Sequence, residues 1–125
     1  MKIDRIDHLN ITVADLDRSI EFYQRVLGLR SERMGEGRAA LLFGNQKIHL
    51  DLAGAQMAGG AMSGEKRQPA HICFITDTPI SEIAAEVERS GVPIRMQGPR
   101  AGATGTIQSV YIDDPDGHSI EIATY

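Results

Sequence analysis

Apolar and polar residues alternate from Leu9 through Ile11 to Val13, and with Ile6 the run predicts a first strand whose other face carries His8, Asn10 and Thr12. Asp15 is placed to cap a helix in which Leu16, Ile20, Tyr23 and Leu27 share one side, and Gly28 supplies a left-handed stop. Three strands are expected next, around Leu29–Met34, Ala39–Phe43 and Lys47–Leu52, with turns at Gly35-Glu36-Gly37 and Gly44-Asn45. In the last of these Ile48, Leu50 and Leu52 face the core, so Lys47, His49 and Asp51 share the opposite face.

The second half repeats the order. Ile72 and Phe74 alternate with His71 and Cys73; Thr78 then reads as an N-cap with Pro79 in the first helical position. Ile80, Ile83, Ala84 and Val87 form the predicted buried stripe, and Gly91 ends it. A short strand near Pro93–Met96, a glycine-rich loop from Gly98 to Gly105, and a hairpin of Ile107–Ile112 with His118–Ala123 around Asp114-Pro115-Asp116-Gly117 complete the chain. In the closing strand Ile120 and Ile122 oppose Ser119, Glu121 and Ala123. His8 and His71 are each followed twenty positions later by a glycine, Gly28 and Gly91. The pattern is βαβββ written twice, which predicts an α+β fold of two modules enclosing a cleft. We expect one domain over 1–125, with module 1 at about 1–53, a linker at 54–69 and module 2 at about 70–125. The stretch Ala53–Gln68 is rich in Gly, Ala and Met without a clean period, which suits a linker; a mobile lid is its functional alternative.

Composition changes this picture little. A chain of 125 residues can bury a core without staples, and 42% apolar with 24% charged residues is ordinary for a soluble protein. The net charge of −4, with no basic stripe, argues against nucleic acid or an anionic membrane as partner. The lone Cys73 excludes an internal disulfide, and no signal-like or membrane-spanning apolar run is present, so a cytoplasmic location is expected.

Strand parity carries the chemistry. His8, His49, His71 and Glu121 each lie opposite the aliphatic positions of their own strand, so helices covering one sheet face leave these four on the other. Three imidazoles and a carboxylate suit a divalent first-row metal such as Fe(II), Ni, Mn, Co or Zn. Asp51 shares the face of His49 and is an alternative fourth ligand. Asp114–Gly117 is too short for an EF-hand and reads as a hairpin turn. Gly102-Ala-Thr-Gly105 with Arg100 reads as a loop, with an anion cradle as its alternative. Cys73 is either packed or pocket-lining. Ser109 and Tyr111 share a strand face that parity alone does not assign to cleft or core.

Five segments carry a resemblance: Ile6-Asp-His-Leu-Asn-Ile-Thr-Val13; Ser19-Ile-Glu-Phe-Tyr23 with Val26-Leu-Gly-Leu29; Lys47-Ile-His-Leu50; Ala70-His-Ile-Cys-Phe74; and Val110-Tyr-Ile-Asp-Asp-Pro-Asp-Gly-His-Ser-Ile-Glu121. On these the chain resembles the vicinal oxygen chelate superfamily of glyoxalase I, extradiol dioxygenases, fosfomycin-modifying enzymes and bleomycin-binding proteins. It looks closest to small single-domain glyoxalase-domain proteins. The resemblance implies metal ligands at His8, His49, His71 and Glu121, the four that parity selects.

It also implies a glyoxalase-type lyase or isomerase acting on a small oxygen-chelating substrate, with Glu121 as proton-shuttling base. Glyoxalase I usually has Glu where this chain has His49, and no glutathione-binding signature is readable. The alternative implied is an Fe(II) extradiol dioxygenase using His8, His71 and Glu121, with Tyr111 as proton donor. That signature expects a His shortly before the Tyr, where this chain has Gly102–Gly105. A drug-binding resistance protein ranks lower, because such proteins tend to lack the metal residues. Superfamily members commonly dimerise, which implies a homodimer with two equivalent sites.

Overall fold

The computed structural model describes residues 1–55 and 69–125, so the central linker and its lid alternative fall largely outside the described residues. The chain divides into two compact units, Met1–Gln68 and Pro69–Tyr125.

The first unit contains β1 (His8–Val13), α1 (Leu16–Leu27), β2 (Arg30–Arg33), β3 (Arg38–Phe43) and β4 (Gln46–Leu52). Its sheet has the order β1-β4-β3-β2, with β1 parallel to β4 and the other neighbours antiparallel. Asp15 caps α1 as expected: its carboxylate accepts the Arg18 amide at 3.0 Å. Gly28 closes the helix at φ 64°, a conformation that costs a side chain energy, and its N–H reaches the Gln24 carbonyl. The buried stripe of α1 is rotated from the predicted one. Leu16, Ser19, Phe22, Tyr23 and Val26 are buried, while Ile20 and Leu27 sit half-buried at its margin. An i, i+3, i+4 pattern admits either set, and the sheet decides between them. α1 lies against β2, β3 and β4, where Ala39, Leu41, Ile48 and Leu50 are fully buried.

The second unit contains β5 (His71–Ile75), α2 (Ile80–Arg89), β6 (Met96–Ala101), β7 (Thr106–Asp113) and β8 (Ser119–Thr124). Its order, β5-β8-β7-β6, repeats that of the first unit, again with a parallel pair, β5 and β8. α2 lies against β7 and β8; Ile83 and Val87 are its buried residues, with Ile80 and Ala84 half-buried. Two expectations are corrected here. Pro79, not Thr78, occupies the N-cap, because its extended ψ of 142° starts the helix at Ile80; the Thr78 N–H instead donates to the Thr76 hydroxyl at 3.2 Å. The short strand near Pro93–Met96 lies further on, at Met96–Ala101, and takes in part of the expected glycine-rich loop. Pro99 is tolerated there because β6 is the sheet edge, where an absent N–H interrupts no ladder on the open side. Among the described residues, no helix is long and apolar enough to cross a membrane.

Candidate metal centre

In the first unit β1 and β4 present His8 and His49 on the face opposite the aliphatic residues. The parallel register sets Asn10 against His49, so His8 lies one diagonal step away. The two imidazoles stack, with centroids 4.5 Å apart and planes 25° from parallel. Asp7 lies 2.9 Å from Nδ1 of His8. A carboxylate accepting Nδ1–H leaves Nε2 with its lone pair outward, the usual arrangement behind a metal-binding histidine. Parity said nothing about Asp7, which precedes the regular strand. Burial, reinforced by the neighbouring His8 and Arg38 charges, lowers the His49 pKa and so favours the neutral ring that a metal requires.

Asp51 is drawn elsewhere. It is buried and accepts from Arg38 Nε at 2.6 Å and from Asn10 Nδ2 at 2.7 Å. Arg38 also stands 3.4 Å from His49 Nδ1, beyond ordinary hydrogen-bond range, and its main partner is Asp51.

The second unit repeats the diagonal. Cys73 is set against Glu121, and His71 lies one step away, its Nε2 3.0 Å from Glu121 Oε2. The other carboxylate oxygen accepts from the Ser109 hydroxyl at 2.5 Å. Tyr111, paired in register with Glu121, also hydrogen-bonds that carboxylate, and its ring centroid is 5.7 Å from that of His71. Ser109 and Tyr111 therefore share the Glu121 face of this sheet. Burial pushes the Glu121 pKa up, but the hydrogen bonds from Ser109, Tyr111 and His71 outweigh it, and the net shift is downward. Tyr111 moves the other way: burial, then its contact with Glu121, raises its pKa and keeps it a phenol.

Cys73 faces the same way and is exposed. Burial of its sulfur, then the Glu121 charge, pushes the thiol up to about 11, so it stays protonated at neutral pH. In chelator-treated protein at pH 8, iodoacetamide should therefore label Cys73 roughly a hundredfold more slowly than an unperturbed thiol. Labelling at the free-thiol rate would show that Glu121 does not hold this sulfhydryl.

Three further features resolve as structural. Asp114 is buried and accepts the Asp116 and His118 amides through Oδ1, a hairpin turn. His118, which parity did not single out, is 1% exposed and accepts the Ala70 amide on Nδ1 at 2.8 Å, tying the start of β5 to the start of β8. Two amides of the Gly102–Gly105 turn have partners within the protein: Gly102 N–H donates to the Gly105 carbonyl and Thr104 N–H to the Tyr125 hydroxyl. A Cβ on Gly102 would come within 2.8 Å of Ile107. Close packing explains that glycine without an anion.

The donors thus arrive as two pairs, His8 with His49 and His71 with Glu121, each across the parallel seam of its own sheet at the same offset. Among the described residues, no group of three or more His, Cys, Asp or Glu side chains is gathered as a metal cluster.

Comparison with known proteins shows the family of the chain. The chain is 46% identical to a virulence protein of Salmonella typhimurium, covering 100% of this chain and 87% of that protein. It is 35% identical to a glyoxalase domain-containing protein of Mycosarcoma maydis, with 100% and 70% coverage. The solved structure of an integron cassette protein from Vibrio cholerae superposes with a TM-score of 0.90 at 44% identity, over 100% of this chain and 98% of that one. More distant relatives include a probable lactoylglutathione lyase of Vibrio cholerae, 30% identical, and a glutathione transferase of Serratia marcescens, 26% identical. Residues 5–122 match the family profile, and the chain belongs to the Glyoxalase/Bleomycin resistance protein/Dioxygenase superfamily.

Proposed function

We propose that the chain is a divalent-metal-dependent lyase or isomerase of the glyoxalase type, acting on a small oxygen-chelating substrate, with His8, His49, His71 and Glu121 as metal ligands. The carrying observation is the repeated diagonal: in each unit two metal-competent side chains meet across the parallel seam at the same offset. The donor chemistry fits. His49 favours its neutral form, Asp7 backs His8, and the Glu121 pKa is lowered, each of which favours lone-pair donation to a metal. A bound Ni, Zn, Co, Mn or Fe(II) ion would supply Lewis-acid polarisation of the substrate oxygens.

The chain's own residues do the rest. Glu121 is the base that takes a proton from the substrate carbon, Ser109 orients its carboxylate, and Tyr111 is a neutral phenol able to return a proton. The lyase reading also draws on the probable lactoylglutathione lyase among the relatives. One observation favours a second reading, Fe(II) extradiol ring cleavage: Tyr111, its candidate proton donor, shares the face of His71 and Glu121. We place the protein in the cytoplasm as a homodimer.

The test is elemental analysis of the purified protein, followed by assays with each metal restored. About one metal per chain, with turnover of a methylglyoxal–thiol adduct under Ni, Co, Zn or Mn, is expected. Catechol cleavage under Fe(II) and O₂ would instead establish the second reading. No bound metal after reconstitution would overturn both. Sedimentation of the same sample should show a dimer, and monomer alone at micromolar concentration would overturn that assignment.

A further inference from the structure

Arg100 projects from edge strand β6 onto the sheet face that carries Glu121. The register sets Met96 against Tyr111, Gly98 against Ser109 and Arg100 against Ile107, so all of these side chains point the same way. From there the guanidinium folds back along its own strand. Its Cζ lies 5.4 Å from the Tyr111 ring centroid, and its Nη2 reaches the Met96 sulfur at 2.8 Å. Gly98 lies under this path; its φ of 146° strains any other residue, although a Cβ there would make only an ordinary contact with Arg100 Nη1 at 3.9 Å.

The partners of this cation are weak. Nη1 donates to the adjacent Pro99 carbonyl, the sulfur is a poor acceptor, and Tyr111 offers its π face and a neutral phenol oxygen, so none of these partners carries a charge. Among the described residues no carboxylate forms an ion pair with Arg100; Arg5, Arg25, Arg33, Arg38 and Arg95 have one, whereas Arg18, Arg30 and Arg89, like Arg100, have none. Scarcity of acids is not the reason, since the chain carries 17 acidic against 13 basic residues. Glu121, the carboxylate on this face, is engaged by Ser109, Tyr111 and His71. A half-buried guanidinium, braced on an aromatic ring with N–H groups unspent, is suited to receive a carboxylate in a forked contact.

We propose that Arg100 determines specificity by binding a carboxylate of the substrate, so that the molecule turned over at Glu121 is an anionic compound carrying a carboxylate apart from its chelating oxygens. This rests on the reading of the Glu121 face as the reaction site. Substrate without that charge would lose a contact beside Tyr111, so a 2-oxoaldehyde adduct of a carboxylate-bearing thiol should be preferred over that of a neutral thiol.

The experiment compares 3,4-dihydroxybenzoate with 3,4-dihydroxybenzamide, which share vicinal oxygens and differ in the charge of the distal group. Calorimetric titrations are run on metal-loaded and on chelator-treated protein, with metal content measured in parallel. Wild-type protein should bind the benzoate about tenfold more tightly than the amide. Arg100→Gln should bring that ratio near one while leaving amide affinity and metal content unchanged, and Arg100→Lys should retain part of the preference. Equal weakening of both probes in Arg100→Gln would mark the residue as structural and overturn the proposal. An unchanged ratio, or no preference in wild type, would overturn it too. A preference that survives metal removal and disappears in Arg100→Gln would support Arg100 even if the metal reading failed. Full metal content without any preference would do the reverse.

Discussion

Replacing Asp51 with alanine is expected to cost about 3–5 kcal/mol of stability, because it strands a charge rather than merely removing one. The carboxylate is 1% exposed and holds Arg38, whose side chain is 17% exposed, at 2.6 Å; Asn10 donates to it as well. Without Asp51 the guanidinium must be desolvated unpaired or leave its place. Asp51→Asn keeps an acceptor for one donor and should cost less, about 1–3 kcal/mol. Removing both charges, in Asp51→Ala with Arg38→Met, should recover much of the loss, since buried pairs are often replaced by apolar groups with little penalty. Urea unfolding of the three variants decides the matter. A loss under 1 kcal/mol for Asp51→Ala would mean that solvent, not Asp51, satisfies Arg38. The same variants separate Asp51 from His49 as fourth ligand: if His49 ligates, the folded Asp51→Asn protein keeps its metal and His49→Ala does not.

Glu121→Ala should weaken metal binding by more than about a hundredfold. Losing an outer partner of a ligand typically costs 10–100-fold, and loss of a ligand itself should exceed that range. Ser109→Ala, which removes the hydroxyl on the far oxygen of the carboxylate, supplies the internal comparison and should fall within it. Glu121→Gln retains the shape and one acceptor but not the charge, so its affinity should lie between alanine and wild type. Competition against a chromogenic chelator gives the affinities, and near-ultraviolet circular dichroism confirms that each variant is folded. Undiminished affinity in Glu121→Ala would remove this residue from the ligand set and the proposed function with it.

Much of this was legible in the chain. Alternation fixed which residues of β4 and β8 face the helices, because a one-residue slip would turn Ile48, Leu50, Ile120 and Ile122 to the polar side. The capping chemistry of Asp15 and Gly28 bounded α1 for local reasons. Three things were not legible, each for a non-local reason. The orientation of α1 depended on which of two overlapping stripes the sheet accepts. β6 was displaced because Gly and Pro mark a loop anywhere except on an edge strand. Finally, parity placed His49 and Asp51 on one face but did not show that Asp51 is engaged by the cross-strand partners Arg38 and Asn10.

The parallel seams also have a consequence for biosynthesis. His71 and Glu121 are 50 positions apart in sequence, and His8 and His49 are separated by 49 − 8 = 41. Neither donor pair exists in a chain still lacking its later strand, and each must wait for a slow, long loop closure. A nascent chain emerging from the ribosome therefore offers isolated side chains rather than a chelating pair. On the proposed ligand set, metal capture would wait until each sheet has closed.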